Sequence, residues 1–102
     1  MKVGWSQPAR DDLAQMRAFI AADSPRYARQ FTERIIGAVR KLREFSLMGR
    51  KVPESDIDEV RELIFQNYRI IYHAEEQCVF VLSVMHGSRD LTRPFNQPWE
   101  IG

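Results

Sequence analysis

The residues best suited to chemistry in this 102-residue chain are arginines set into apolar, alternating runs. The stretch from Val60 to Leu91 reads VRELIFQNYRIIYHAEEQCVFVLSVMHGSRDL, three short strands in tandem. Successive side chains of a strand point to opposite sheet faces, so Arg61 and Arg69 each carry a charge onto a face. A guanidinium there is costly unless it is paired or wet. A local ion pair explains any one of them, and Arg61 is expected to pair with a carboxylate of the acidic stretch Glu54, Asp56, Asp58, Glu59 and Glu62. Taken together they also read as a cationic surface for an anionic partner or substrate. The strands of Arg61 and Arg69 are joined by the short Gln66-Asn67 link, which lets the two sit on one face. The third strand ends in His86-Gly87-Ser88-Arg89-Asp90, a polar knot from which Arg89 can reach the same region.

Other constellations carry less. His73 and His86 have no Cys or carboxylate at ligand spacing, so no metal is expected. Ser6, Ser83 and Ser88 lack the Gly-x-Ser-x-Gly setting of a nucleophile elbow. Gly87 stands alone and is expected to supply a positive-φ turn after the strand rather than a phosphate cradle. Tyr68, Tyr72 and Phe80 offer stacking faces for bases, yet their alternating positions assign at least two of them to the core. No cofactor motif is present.

Composition narrows the class. The length corresponds to one domain, residues 1–102, with 92–102 as an extended tail. A formal net charge of +1 argues against a chain devoted to coating nucleic acid. Its distribution is uneven: Arg26, Arg29, Arg34, Arg40, Lys41, Arg43, Arg50 and Lys51 face only Glu33 and Glu44 before the acidic stretch begins. The single Cys78 has no internal partner and is expected to be a buried, inert thiol in a reducing compartment. The start of the chain has no apolar leader and no run is long enough to span a bilayer, so the cytoplasm is the expected location.

The elements that position these residues are legible. Met1 to Trp5 is a short strand. Ser6 caps a helix with Pro8 in its first turn, Asp11 and Asp12 at its positive end, and a stripe of Ala9, Leu13, Met16 and Ile20. The helix ends near Ala22 or Asp23. Ser24 and Pro25 open a second one, with apolar positions Ala28, Phe31, Ile35, Ala38, Leu42 and Phe45. Gly37 is a mild weakness suited to close approach by the first helix, and Gly49 is the expected stop. Residues 50–59 form a polar connector before three antiparallel strands, the last two joined by Ala74-Glu75-Glu76-Gln77. The tail from Thr92, with Pro94, Phe95, Pro98 and Trp99, is expected to lie along the surface. The order gives an α+β fold: an N-terminal strand and an antiparallel helical hairpin on a mainly antiparallel four-stranded sheet.

Five pieces of the sequence, in order, resemble the ParE branch of the RelE/ParE toxins of bacterial toxin–antitoxin systems. They are Trp5-Ser6-Gln7-Pro8-Ala9 with Asp12-Leu13; Met48-Gly49-Arg50 with Pro53-Glu54; Val60-Arg61-Glu62-Leu63; Asn67-Tyr68-Arg69-Ile70-Ile71-Tyr72; and Val84 to Leu91. The resemblance implies a toxin causing growth arrest, held inactive by a cognate ParD-like antitoxin whose disordered segment folds around it. It further implies toxin–antitoxin hetero-oligomers, plasmid stabilisation, and operator DNA bound only through the antitoxin. ParE members are associated with poisoning DNA gyrase and RelE members with cutting messenger RNA on the ribosome.

The chemistry of RNA cleavage separates the two branches. A base must take the 2′-hydroxyl proton, an acid must protonate the leaving 5′-oxygen, and cations must stabilise the charged transition state. Arg61, Arg69 and Arg89 are the candidate cations and His86 the candidate acid or base. RelE-like nucleases typically place a catalytic tyrosine near the end of the last strand, but no tyrosine follows Tyr72 here. They are also usually strongly basic, whereas this chain is near neutral. The expectation is therefore a non-catalytic gyrase inhibitor, with a ribosome-dependent mRNA endonuclease as the alternative. A third reading is a toxin fold kept only to bind its antitoxin and co-repress the operon.

Overall fold

Two serines start the helices. The Ser6 hydroxyl accepts from the Ala9 amide at 3.0 Å and that of Ser24 from the Tyr27 amide at 3.2 Å, each satisfying one orphan donor of a first turn. A proline follows each within two residues. The structure, a computed structural model, describes residues 1–93 and 96–100. Its elements are β1 (Lys2–Trp5), α1 (Gln7–Ala21), α2 (Pro25–Arg40), a 3₁₀ turn (Lys41–Arg43), β2 (Arg50–Lys51), β3 (Val60–Phe65), β4 (Tyr68–Ala74) and β5 (Cys78–His86).

The second helix departs from expectation at its end. It stops at Arg40, well before Gly49, and tightens into the 3₁₀ turn that buries Leu42. A 3₁₀ turn has three residues per turn instead of 3.6, so the stripe drifts and Phe45 ends 60% exposed. Val39 rather than Ala38 is fully buried. Nor does Gly37 admit the first helix: a Cβ there would meet nothing within 4 Å. Close approach occurs at Gly49, where a Cβ would lie 2.6 Å from both the Glu62 carbonyl and the Tyr72 hydroxyl. Asp11 and Asp12 fall beyond the first turn. Asp12 instead accepts from the Ser83 hydroxyl at 2.8 Å and the Val84 amide at 3.0 Å, docking α1 on β5.

The sheet has five strands in the order β1-β5-β4-β3-β2, with β1 parallel to β5 and the other pairs antiparallel. The expected count of four missed β2, two exposed charged residues inside the connector. Length and polarity hid it, since no alternation shows in two residues. Gln66, in the β3–β4 turn, has φ 51°, and no other described non-glycine residue has a positive φ. One sheet face packs Ile70, Tyr72, Val79, Val81 and Val84 against Met16, Phe31, Ile35, Val39 and Leu42. The opposite face carries a smaller cluster of Val52, Val60, Ile71, Leu82, Met85 and Leu91, against which Trp99 of the tail packs. Pro94 and Phe95 lie outside the described residues. No described helix is long and apolar enough to cross a membrane.

Candidate functional site

The turn Gln66-Asn67 decides where the arginines go. Phe65 pairs with Tyr68, so Arg61 falls opposite Tyr72 and Ile64 opposite Arg69. Paired residues share a face. Arg61 therefore points to the helix side and Arg69 to the other side, against the expectation that they share one face. The length of the turn carried that signal: a two-residue link fixes the parity of every pair in the hairpin.

On the outer face Arg69 is the centre of a four-charge cluster. Its Nη1 and Nη2 donate to the two carboxylate oxygens of Glu54 at 2.9 and 2.8 Å, and its Nε donates to Glu62 at 2.5 Å. Arg50 donates from Nε to the second oxygen of Glu62 at 2.6 Å. The Arg69 side chain is 9% exposed and that of Glu62 fully buried. A buried carboxylate holding two guanidiniums meets the condition under which ions are tolerated away from water. The hydrogen bond from Arg69 holds the Glu54 carboxyl below its usual range, against the opposing effect of burial. The same bond raises the pKa of Arg69.

On the inner face Arg61 pairs with no carboxylate of the connector. It donates from Nη1 to the Gly49 carbonyl at 2.9 Å and, more weakly, to that of Leu47 at 3.5 Å. Its partner in the register, Tyr72, donates to the Ser46 carbonyl at 2.8 Å and accepts from the Gly49 amide at 3.0 Å. Burial pushes the Tyr72 hydroxyl's pKa up. Arg61 and Tyr72 thus hold the segment 46–49 by its backbone. The arginine that meets the connector is Arg69, through Glu54.

His86 ends β5 with its ring edge-on to Tyr68, centroids 5.6 Å apart. The Ser88 amide donates to its Nδ1 at 3.2 Å. The Ser88 hydroxyl lies 2.7 Å from the same nitrogen. The Gly87 amide donates to the Asn67 carbonyl at 2.7 Å. Gly87 has no positive φ, so the expected left-handed turn is absent. A shallow cleft of about 320 Å³ is lined by Arg50, Asn67, Tyr68, Arg69, His86 and Ser88. Arg89 lines a different groove, beside Leu82, Met85 and Gln97. Of the four candidate residues, Arg69 and His86 line one cleft, yet His86 pairs with Tyr68 and so shares the helix-side face, opposite Arg69; Arg61 and Arg89 do not line that cleft.

Residues missed in the sequence reading complete the cluster. Glu54 and Arg50 stand in charge runs and in the piece Met48-Gly49-Arg50 with Pro53-Glu54, but neither spacing nor alternation ties them to Arg69. Cys78 is part-exposed, not buried, and its thiol donates to Glu75 at 3.1 Å, which raises its pKa. Among the described residues no three His, Cys, Asp or Glu side chains group as metal ligands.

The family profile of the ParE toxin of type II toxin–antitoxin systems, parDE, matches residues 3–91. The chain belongs to the ParE toxin family. No curated protein matches it significantly. Among solved structures, the chromosomal ParDE toxin–antitoxin system from P. aeruginosa superposes with a TM-score of 0.70 at 19% identity, covering 84% of this chain and 95% of that one. The RelBE2 toxin–antitoxin complex from Mycobacterium tuberculosis superposes with a TM-score of 0.56 at 20% identity, covering 83% and 95%. Such likeness shows the RelE/ParE fold. The family match spans β1 through Leu91 and so takes in the cluster around Arg69, the Arg61–Tyr72 pair and His86.

Proposed function

We propose that this ParE-family protein is a cytoplasmic, non-enzymatic toxin that inhibits DNA gyrase, arrests growth, and is neutralised by a cognate ParD-like antitoxin. In this reading it stabilises the plasmid or chromosomal segment that encodes the pair, and reaches operator DNA only through the antitoxin. The observation that carries the non-catalytic part is the engagement of Arg69. All three of its nitrogen centres donate to Glu54 and Glu62, which leaves it poorly placed to stabilise charge developing on a phosphate. Arg61, on the other face and committed to backbone carbonyls, adds nothing to it. Gyrase as the target rests on membership of the ParE toxin family.

The RelE-type reading, a ribosome-dependent mRNA endonuclease, has one observation in its favour: Arg69 and His86 line the same cleft. One experiment separates them. Purified toxin is incubated with gyrase, ATP and supercoiled plasmid, and in parallel with ribosomes translating a defined message. Cleaved plasmid with intact message is expected. Ribosome-dependent message cleavage with supercoiling unaffected overturns the proposal.

A further inference from the structure

The chain turns sharply where the 3₁₀ turn hands over to β2. The Met48 amide donates to the Phe45 carbonyl at 3.1 Å, the bond that closes a four-residue turn. Within it Phe45, Leu47 and Met48 are exposed at 60%, 61% and 45%. Apolar side chains exposed one at a time are ordinary on a protein surface, but this spacing gathers three of them into a patch.

Two observations separate the patch from a frayed loop. The first is how firmly it is held. Tyr72 donates to the Ser46 carbonyl at 2.8 Å, Arg61 donates to that of Gly49 at 2.9 Å, and the Gly49 amide donates to the Tyr72 hydroxyl at 3.0 Å. The backbone is fixed from beneath while its side chains stand in water, so little ordering is left for a partner to impose. The second observation is the charge around the turn. Lys41 and Arg43 precede it, Arg50 and Lys51 follow it, and Glu44 is the only carboxylate in that span. Among the described residues Lys41 and Arg43 form no ion pair. An apolar tip with free cations at its rim complements a hydrophobic pocket edged by acidic side chains. A net charge of only +1 favours a protein over a nucleic-acid backbone as its occupant.

We propose that the turn 45–48 is the surface by which the toxin engages gyrase, seated in an acid-rimmed apolar pocket of that protein. The inference rests on the gyrase reading given above. Phe45 and Leu47 are the anchors, and Met48 adapts its unbranched side chain to the pocket wall. Lys41 and Arg43 steer the encounter.

The test compares the unaltered full-length toxin with Phe45→Ala, Leu47→Ala and the pair Lys41→Glu and Arg43→Glu. Affinity is measured for purified gyrase, for the antitoxin co-purified from its own operon, and for bare duplex DNA. Either alanine should weaken gyrase binding about thirtyfold or more, the scale of a central anchor, and leave antitoxin binding unchanged. The charge reversals should slow association with gyrase and flatten its dependence on salt. Peroxide oxidation of the unaltered toxin needs no substitution. Met48 and Met1 are both exposed, and gyrase should slow oxidation of Met48 about tenfold while sparing Met1. Met48 oxidised as in free toxin while gyrase is bound overturns this surface and leaves the proposed function standing, as does full affinity in both alanine variants. Alanine variants that lose the antitoxin or DNA but keep gyrase give the turn a different occupant and overturn it equally. Unaltered toxin that neither binds nor poisons gyrase overturns the gyrase reading and this surface with it. If an alanine variant fails to fold, Met48 oxidation still decides the matter.

Discussion

Arg69 and Glu54 meet through two parallel hydrogen bonds, 2.8 and 2.9 Å long, between a strand and the connector that crosses its outer face. This fork ties residues 52–59 to the sheet and shields the buried Glu62 behind it. Bidentate pairing fixes geometry as well as charge. Lysine in place of Arg69 could not reproduce it.

Removing one member should cost more than the pair itself contributes. Arg69→Ala strands Glu62 in the interior beside Arg50 alone, and should lower unfolding free energy by about 3 kcal/mol or more. Urea denaturation measures this. A loss under 1 kcal/mol, on the scale of an exposed pair, would contradict the burial argument.

The same fork makes stability depend on acid. The carboxyl of Glu54 is held below its ordinary value of 4.5 by the hydrogen bond from Arg69. In that window the unfolded chain binds the proton and the folded chain does not, so stability rises with pH there. Its contribution is full above 4.5 and drains as pH falls through the folded value. Thermal midpoints from pH 6 to pH 3 should fall less steeply for Glu54→Gln than for the unaltered protein.

Two glycines should respond oppositely to alanine. At Gly49 the new Cβ would press on the Glu62 carbonyl and the Tyr72 hydroxyl at 2.6 Å, at a cost of about 2 kcal/mol or more. At Gly37 the space is empty, and alanine should stabilise the helix by up to about 1 kcal/mol. Equal shifts in midpoint for the two variants would refute the assignment of close packing to Gly49.

His86→Gln discriminates the functional readings. Glutamine keeps polar reach without acid–base capacity, so a gyrase inhibitor should retain its toxicity. A nuclease relying on His86 should lose about a hundredfold in rate. Growth arrest is compared at matched soluble protein, with antitoxin binding as the check on folding. Loss of arrest with binding retained counts against the non-catalytic assignment.

The helix starts and the three long strands were legible because serine–proline caps and alternating apolar runs are local signals. What escaped depends on geometry between elements. The apolar stripe of the second helix runs on to Phe45, yet the 3₁₀ turn rotates that residue outward. β2 is visible only through its partner, since Arg50 lies opposite Glu62 across the ladder. The division of Arg61 and Arg69 between two faces follows from one turn, and with it the set of three candidate cations comes apart. Glu54 entered as one acid among several, though its position relative to Arg69 decides what that arginine does.

The parallel pairing of β1 with β5 has a consequence for synthesis. Lys2 lies beside Cys78, so the first strand to leave the ribosome has no neighbour until the last one is made. Contacts of such long separation form late. Any product truncated before Cys78 lacks the strand on which β1, β4 and the start of α1 all depend. Translation interrupted before Cys78 therefore releases fragments without the strand that joins β1 to the rest of the sheet.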